Sequence, residues 1–140
     1  MTPFPERGSI YVLSDATAET AERVLRAALI QFREARPDVR IFSLLRKDEQ
    51  IEDAVRQAAV ANALVIYTIV NHEQRELLEA RAQVFQLQTV DLIGTLMRSL
   101  SGYLGTTPAG RPGLPSGDAS QVISLSSQIS SDPRLRSEAV

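Results

Sequence analysis

Cysteine does not occur in the 140 residues, and histidine occurs once, as His72. Disulfides, thiolate chemistry and a zinc centre of the usual Cys/His kind are thereby excluded, whereas a magnesium site built from carboxylates stays open. Lysine is as scarce. Lys47 stands alone in Leu45-Arg46-Lys47-Asp48 with no glycine near it. The loop G-x-x-x-x-G-K-[ST], whose lysine must reach the terminal phosphates of a nucleotide, is therefore absent. No G-x-S-x-G elbow, H-E-x-x-H pair or kinase signature set occurs either. No apolar run approaches the ~18 residues of a membrane span. The opening Met1-Thr2-Pro3-Phe4-Pro5-Glu6-Arg7 lacks the basic and apolar regions of a secretory signal, so the cytoplasm is the expected compartment. Neither sign of charge is in excess: 15 Lys and Arg against 17 Asp and Glu leave a net charge of −2. Such a balance supplies no field for nucleic acid or an anionic membrane, and neither is expected as a partner. No internal repeat occurs at periods of roughly 20 to 50 residues.

What is present is the composition of one soluble domain, 44% hydrophobic and 23% charged. Ile10-Tyr11-Val12-Leu13 reads as a strand. Residues 18 to 35 then place Ala21, Val24, Leu25, Ala28, Leu29 and Phe32 on one face of a helix. Pro37 and Asp38 interrupt the pattern, and Val39 to Leu45 reads as a second strand. Ile51, Ala54, Val55, Ala58 and Ala59 mark a second helix. The nearly continuous apolar run Ala63 to Val70 fits a central strand covered on both faces. Helical spacing returns from His72 through Leu77, Leu78, Ala82 and Phe85. A short strand at Gln88-Thr89-Val90 precedes a last helix carrying Leu92, Ile93, Leu96, Met97 and Leu100. This alternation predicts an α/β three-layer sandwich around a small four-stranded parallel sheet of order 2-1-3-4, joined by right-handed crossovers. The ends of strands one and three would then flank a topological switch point. From Gly102 onward glycine and proline recur. The domain is expected over residues 1–111, with 112–140 an irregular, flexible tail that offers little apolar surface against the entropy of ordering.

Three strand ends would converge at the switch point: Ser14 to Thr20, Asn71-His72, and Asp91. The first is a hydroxyl-rich turn at a helix start, where unpaired backbone N–H groups and the helix dipole favour an anion. Ser14, Thr17 and Thr20 are its candidate donors, with Asp15 between them. Asp15 or Thr17 would equally serve as a helix cap. Asp91 reads either as a ligand or as the cap of the helix that follows. His72 reads as an acid or base near neutral pH, or as a polar residue at a helix start, since no partner is spaced to work with it. Arg40, Arg46 and Lys47 form a modest basic cluster at the end of strand two, suited to an acidic partner or to plain solvation. No catalytic residue and no metal ligand set is assigned.

The run Ile10 to Thr20 with Ala21-Glu22, then Gln31-Phe32, Tyr67-Thr68-Ile69-Val70, Val90-Asp91-Leu92 and Tyr103-Leu104-Gly105…Pro108…Pro112-Gly113-Leu114 resembles the bacterial phosphoenolpyruvate synthase regulatory proteins. These are relatives of the plant pyruvate, phosphate dikinase regulatory protein, and the likeness runs from about residue 8 to about 114. The resemblance implies an ADP-dependent serine/threonine kinase that phosphorylates a threonine of the synthase or dikinase, and a phosphate-dependent phosphorylase that removes the group as pyrophosphate. Phosphoenolpyruvate synthase or pyruvate, phosphate dikinase is thus the implied partner. ADP or ATP is implied only for the full-length proteins, whose nucleotide loop lies in a C-terminal domain; no cofactor is expected in this chain. Only the N-terminal half of that pattern is present, and Pro115 to Val140 departs from it, as a truncated or frame-shifted coding sequence would. The family commonly carries glycine where this chain has Ala18; alanine favours a helix there but hinders close approach of a phosphate to the backbone.

Two functions are therefore expected to compete. The chain is a docking or regulatory fragment that transfers no phosphate by itself, or a stand-alone module binding phosphate, a nucleotide or a phosphorylated metabolite. Open sheet edges also make weak self-association, including a homodimer, an expectation.

Overall fold

The computed structural model describes residues 8–112, in the order β1 (Ser9–Ser14), α1 (Glu19–Leu29), β2 (Asp38–Phe42), α2 (Asp48–Ala61), β3 (Leu64–Thr68), α3 (His72–Val84), β4 (Thr89–Asp91) and α4 (Gly94–Leu104). The four strands form one parallel sheet of order β2-β1-β3-β4, as the alternation predicts. The register sets Ile10 opposite Val39 and Leu64, and Leu13 opposite Phe42 and Tyr67. The tail expected over 112–140 lies, from Gly113 onward, outside the described residues.

Strand alternation divides the core into two layers. On one face Tyr11, Leu13, Val65 and Tyr67 meet the inner sides of α2 and α3, supplied by Ile51, Ala54, Val55, Ala58, Leu78 and Ala82. On the other, Ile10, Val12 and Ile66 meet Ala18, Ala21 and Leu25. The second layer is thin because α1 seats mainly on β1 and β3. Val39 and Ile41 of the edge strand β2 consequently stay exposed.

That seating corrects the first helix. It ends at Leu29 rather than continuing to 35, and its inner stripe is Ala21, Leu25 and the half-buried Leu29. Val24, Ala28 and Phe32, expected inside, face solvent because no strand lies beneath them. Strand two also stops early, at Phe42. Leu44 adopts φ 56°, its N–H bonds to the Ala16 carbonyl at 2.8 Å and the Leu45 N–H to the Ser14 carbonyl at 3.0 Å. The chain thus crosses over the end of β1. The last helix begins at Gly94, after Leu92 and Ile93, and Leu96 and Leu100 are exposed.

Three helices close with left-handed residues. Asn62, Gln86 and Gly105 have positive φ at the C-terminal ends of α2, α3 and α4. At the end of α3 the Leu87 N–H reaches the Ala82 carbonyl at 2.9 Å and the Gln86 N–H reaches that of Gln83 at 3.0 Å. This is the paired closure of a Schellman motif, which glycine fits best at the position Gln86 holds.

Candidate functional site at the carboxyl edge of the sheet

Asp15 follows β1 immediately and is buried, with 3% of its surface exposed. Its Oδ2 accepts the Val70 N–H at 2.9 Å, and its own N–H leans toward the Thr68 carbonyl at 3.4 Å. The loops after β1 and β3 are thereby tied across the switch point. The Asp15 carbonyl oxygen accepts the Arg46 Nε–H at 2.6 Å, while the Arg46 carbonyl accepts the Gln74 side-chain amide at 2.9 Å. A buried carboxylate therefore sits within a ring of contacts from β1, β3, α3 and the loop before α2. Burial raises its pKa above the ordinary carboxylate value; the Val70 hydrogen bond and the charge of Arg46 offset part of that rise.

The expected donors fare differently. Ser14 is buried, and its Oγ accepts the Ala16 N–H at 3.0 Å, so it shapes the turn rather than facing a ligand. Thr17 and Thr20 are exposed beside the start of α1. Neither Asp15 nor Thr17 caps that helix. The N-cap position is Ala18, with φ 72° and ψ 5°, and no side chain bonds to the first turn. Alanine there is not helical, so its helix preference gains nothing; it is held in the left-handed region that glycine occupies without strain.

Asn71 meets Asp15 on the same rim, through Val70. Its Oδ1 accepts the Gln74 N–H at 3.0 Å and caps α3, and its Nδ2 reaches the Gly110 carbonyl at 3.4 Å. The segment after α4 thus folds back over the end of β3. His72 is exposed at the start of α3 and pairs with Glu76 at 3.1 Å along the same helix; its place is that of a polar residue at a helix start, outside the Asp15 ring. The N-cap position of α4 is Ile93 rather than Asp91; Asp91 closes β4 instead of following it and holds the turn into the helix. Its Oδ1 accepts the Ile93 and Gly94 N–H groups at 3.1 and 2.8 Å, while its Oδ2 lies 3.8 Å from Arg75.

The basic cluster does not form as one patch. Arg46 turns to Asp15, whereas Arg40 stacks over the rings of Tyr11 and Phe42 and approaches Gln57. Among the described residues, no three His, Asp or Glu side chains gather as a cation cage.

Arg75 is the polar residue the sequence reading passed over. It lies on the α3 stripe 71, 75, 78, 82 that otherwise carries Leu78 and Ala82 into the core, and its buried Nε has no hydrogen-bond partner. A charge at an inward helical position was the available signal. Gly94 was missed as well: a Cβ there would lie 2.0 Å from Asp91 Oδ2, so only glycine lets the carboxylate approach.

Fold and edge together define an α/β module of three layers whose polar side chains collect where the strand order reverses, the place such sheets use for ligands or partners. Residues 10–124 match the family model described as Kinase/pyrophosphorylase, and the chain belongs to that family. Residues 115–124, expected above to depart from the family pattern, fall inside the matched range.

Among curated relatives, a protein named pyruvate, phosphate dikinase regulatory protein from Geobacter metallireducens is 43% identical over 105 residues, covering 75% of this chain and 39% of the relative. Proteins of the same name from Geotalea daltonii and Carboxydothermus hydrogenoformans are 42% and 38% identical over the same length. The chain spans about two fifths of the length of the relatives it matches, 39% for the first of them.

Proposed function

We propose that the chain is the docking or regulatory portion of a kinase/pyrophosphorylase that controls pyruvate, phosphate dikinase or phosphoenolpyruvate synthase by reversible threonine phosphorylation. The observation that carries this reading is the family match over residues 10–124 in a chain that spans 39% of its relative and contains no phosphate-binding loop. In this reading ADP or ATP binds elsewhere in the longer proteins, the present domain holds the target enzyme, and the cytoplasm is the compartment. The test is a phosphotransfer assay of the chain with ADP and each target enzyme, run beside a binding titration of those enzymes. Binding without phosphate transfer is expected. Robust turnover by the chain alone overturns the proposal, as does failure to bind either enzyme.

A second reading is favoured by one observation, the start of α1 without a side-chain cap beside the exposed hydroxyls of Thr17 and Thr20. There the chain would bind phosphate, pyrophosphate, ADP or phosphoenolpyruvate through backbone N–H groups. Calorimetric titration with each, using Thr17→Ala with Thr20→Ala as the control, discriminates. No heat from any of the four leaves docking as the account.

A further inference from the structure

We propose that the outward apolar stripe of α4 is the surface on which the remainder of the longer family members packs. This rests on the reading that the chain is one portion of such a protein. Leu96, Leu100 and Leu104 recur at i, i+4 and i+8, with Tyr103 alongside, and their exposures are 58, 45, 62 and 84%. Of the whole helix only Gly94 is buried. Eleven residues are too few for a helix to persist on propensity alone, which makes a covering layer the ordinary source of its stability. A shallow groove of about 170 Å³, lined by Met97, Leu100, Ser101, Leu104, Thr106 and Pro108, runs along the same helix.

Position and chemistry identify the occupant. α4 is the last helix among the described residues, and whatever follows the matched region in the longer relatives is joined after residue 124, C-terminal to it. The Geobacter metallireducens relative is matched over only 39% of its length, which leaves ample chain to supply a covering face. Arg98 is the only charged residue of α4, so the complementary surface is apolar and uncharged, which nucleic acid and anionic lipid are not. A second copy is the weaker occupant. Two such stripes face to face offer four large side chains each, short of the roughly 1,200 Å² that stable interfaces bury.

The experiment adds the separately produced C-terminal portion of the Geobacter metallireducens relative to the full 140-residue chain, following binding by calorimetry and amide exchange of the chain by mass spectrometry. Saturable binding is expected, with exchange across Leu96–Leu104 slowed about tenfold or more. Leu100→Asp, and separately Tyr103→Ser, weaken binding by about tenfold or more. Val60→Asp, at an exposed valine of α2, leaves it unchanged. Both stripe variants keep the wild-type far-ultraviolet spectrum because their side chains are already exposed.

Absence of binding by a folded C-terminal portion overturns the proposal. Binding that leaves α4 exchange unaltered does so too, as does a chain already dimeric by sedimentation that Leu100→Asp renders monomeric. Protection of α4 in the chain alone that is lost on removing residues 113–140 assigns the stripe to this chain's own segment, and likewise overturns it. Docking to the dikinase or synthase is measured separately, so a failure here and a failure of the functional reading are told apart.

Discussion

The backbone at Ala18 allows a controlled comparison, because the same substitution has unequal consequences at two buried alanines of one layer. Ala18 and Ala21 are 5% and 0% exposed and pack in the same cluster, but Ala18 holds φ 72° whereas Ala21 is helical. Ala21→Gly removes a buried methyl, about 0.8 kcal/mol, and replaces the best helix former with one about 1 kcal/mol worse. The sum is a loss of about 2 kcal/mol. Ala18→Gly also removes a methyl and frees the unfolded chain by roughly 0.4–1 kcal/mol, yet it relieves a left-handed alanine whose strain is about 1–2 kcal/mol. These effects nearly cancel, leaving a change within about 1 kcal/mol of zero. Urea unfolding followed by ellipticity gives both values. For a domain of this size each kcal/mol moves the melting temperature by roughly 4–8 °C, so the two variants should be well separated on heating. Ala18→Gly as destabilising as Ala21→Gly would show that position 18 carries no strain, and the account of the β1–α1 turn would fail with it.

Three further outcomes follow from the same geometry. Because burial raises the folded-state pKa of Asp15, the native chain binds more protons than the unfolded one between the ordinary carboxylate value and the raised one. Its contribution to stability therefore falls as pH rises through that window. Asp15→Asn should flatten this slope, and denaturant midpoints of the two proteins should diverge as pH rises above the ordinary carboxylate value of 3.8; parallel curves refute it. Gly94→Ala drives a methyl into Asp91 Oδ2, a carboxylate held by Ile93, Gly94 and Arg75, and should lower stability by about 1–3 kcal/mol, read by calorimetric melting. Gln86→Gly, at φ 58°, should instead raise the urea midpoint by about 0.5–1 kcal/mol of stability, and a lowered midpoint would contradict the strain assigned there.

The alternation of elements was legible because periodicity changes from 2 to 3.6 at the junctions, and because the nearly continuous apolar run around Val65 and Ile66 fits a covered strand; the strand order, which no local pattern encodes, followed from the usual layout of such sheets. The extent of α1 was not legible. Whether Val24 and Phe32 are inside depends on how many strands the helix spans, which its own spacing does not encode. Ala18 was misread because its left-handed φ belongs to the turn that joins β1 to α1, and a residue type that favours helices carries no sign of it. Of the candidate site, Asp15 and Asn71 were correctly brought to one rim, Asp91 holds the turn into α4 from two residues before the N-cap position, and His72 stayed apart. The bond from Val70 to Asp15 joins residues 55 positions apart, beyond the reach of any local pattern.

The place of β1 has a consequence for synthesis. Of the described strands β1 leaves the ribosome first, yet it becomes an inner strand, flanked by β2 and β3, and its second neighbour is complete only when Thr68 has been made. Until then Ile10, Val12 and their companions have one edge without a partner. Synthesis of the stretch between β2 and the end of β3 is therefore the interval in which the nascent polypeptide most needs shielding from association with other chains.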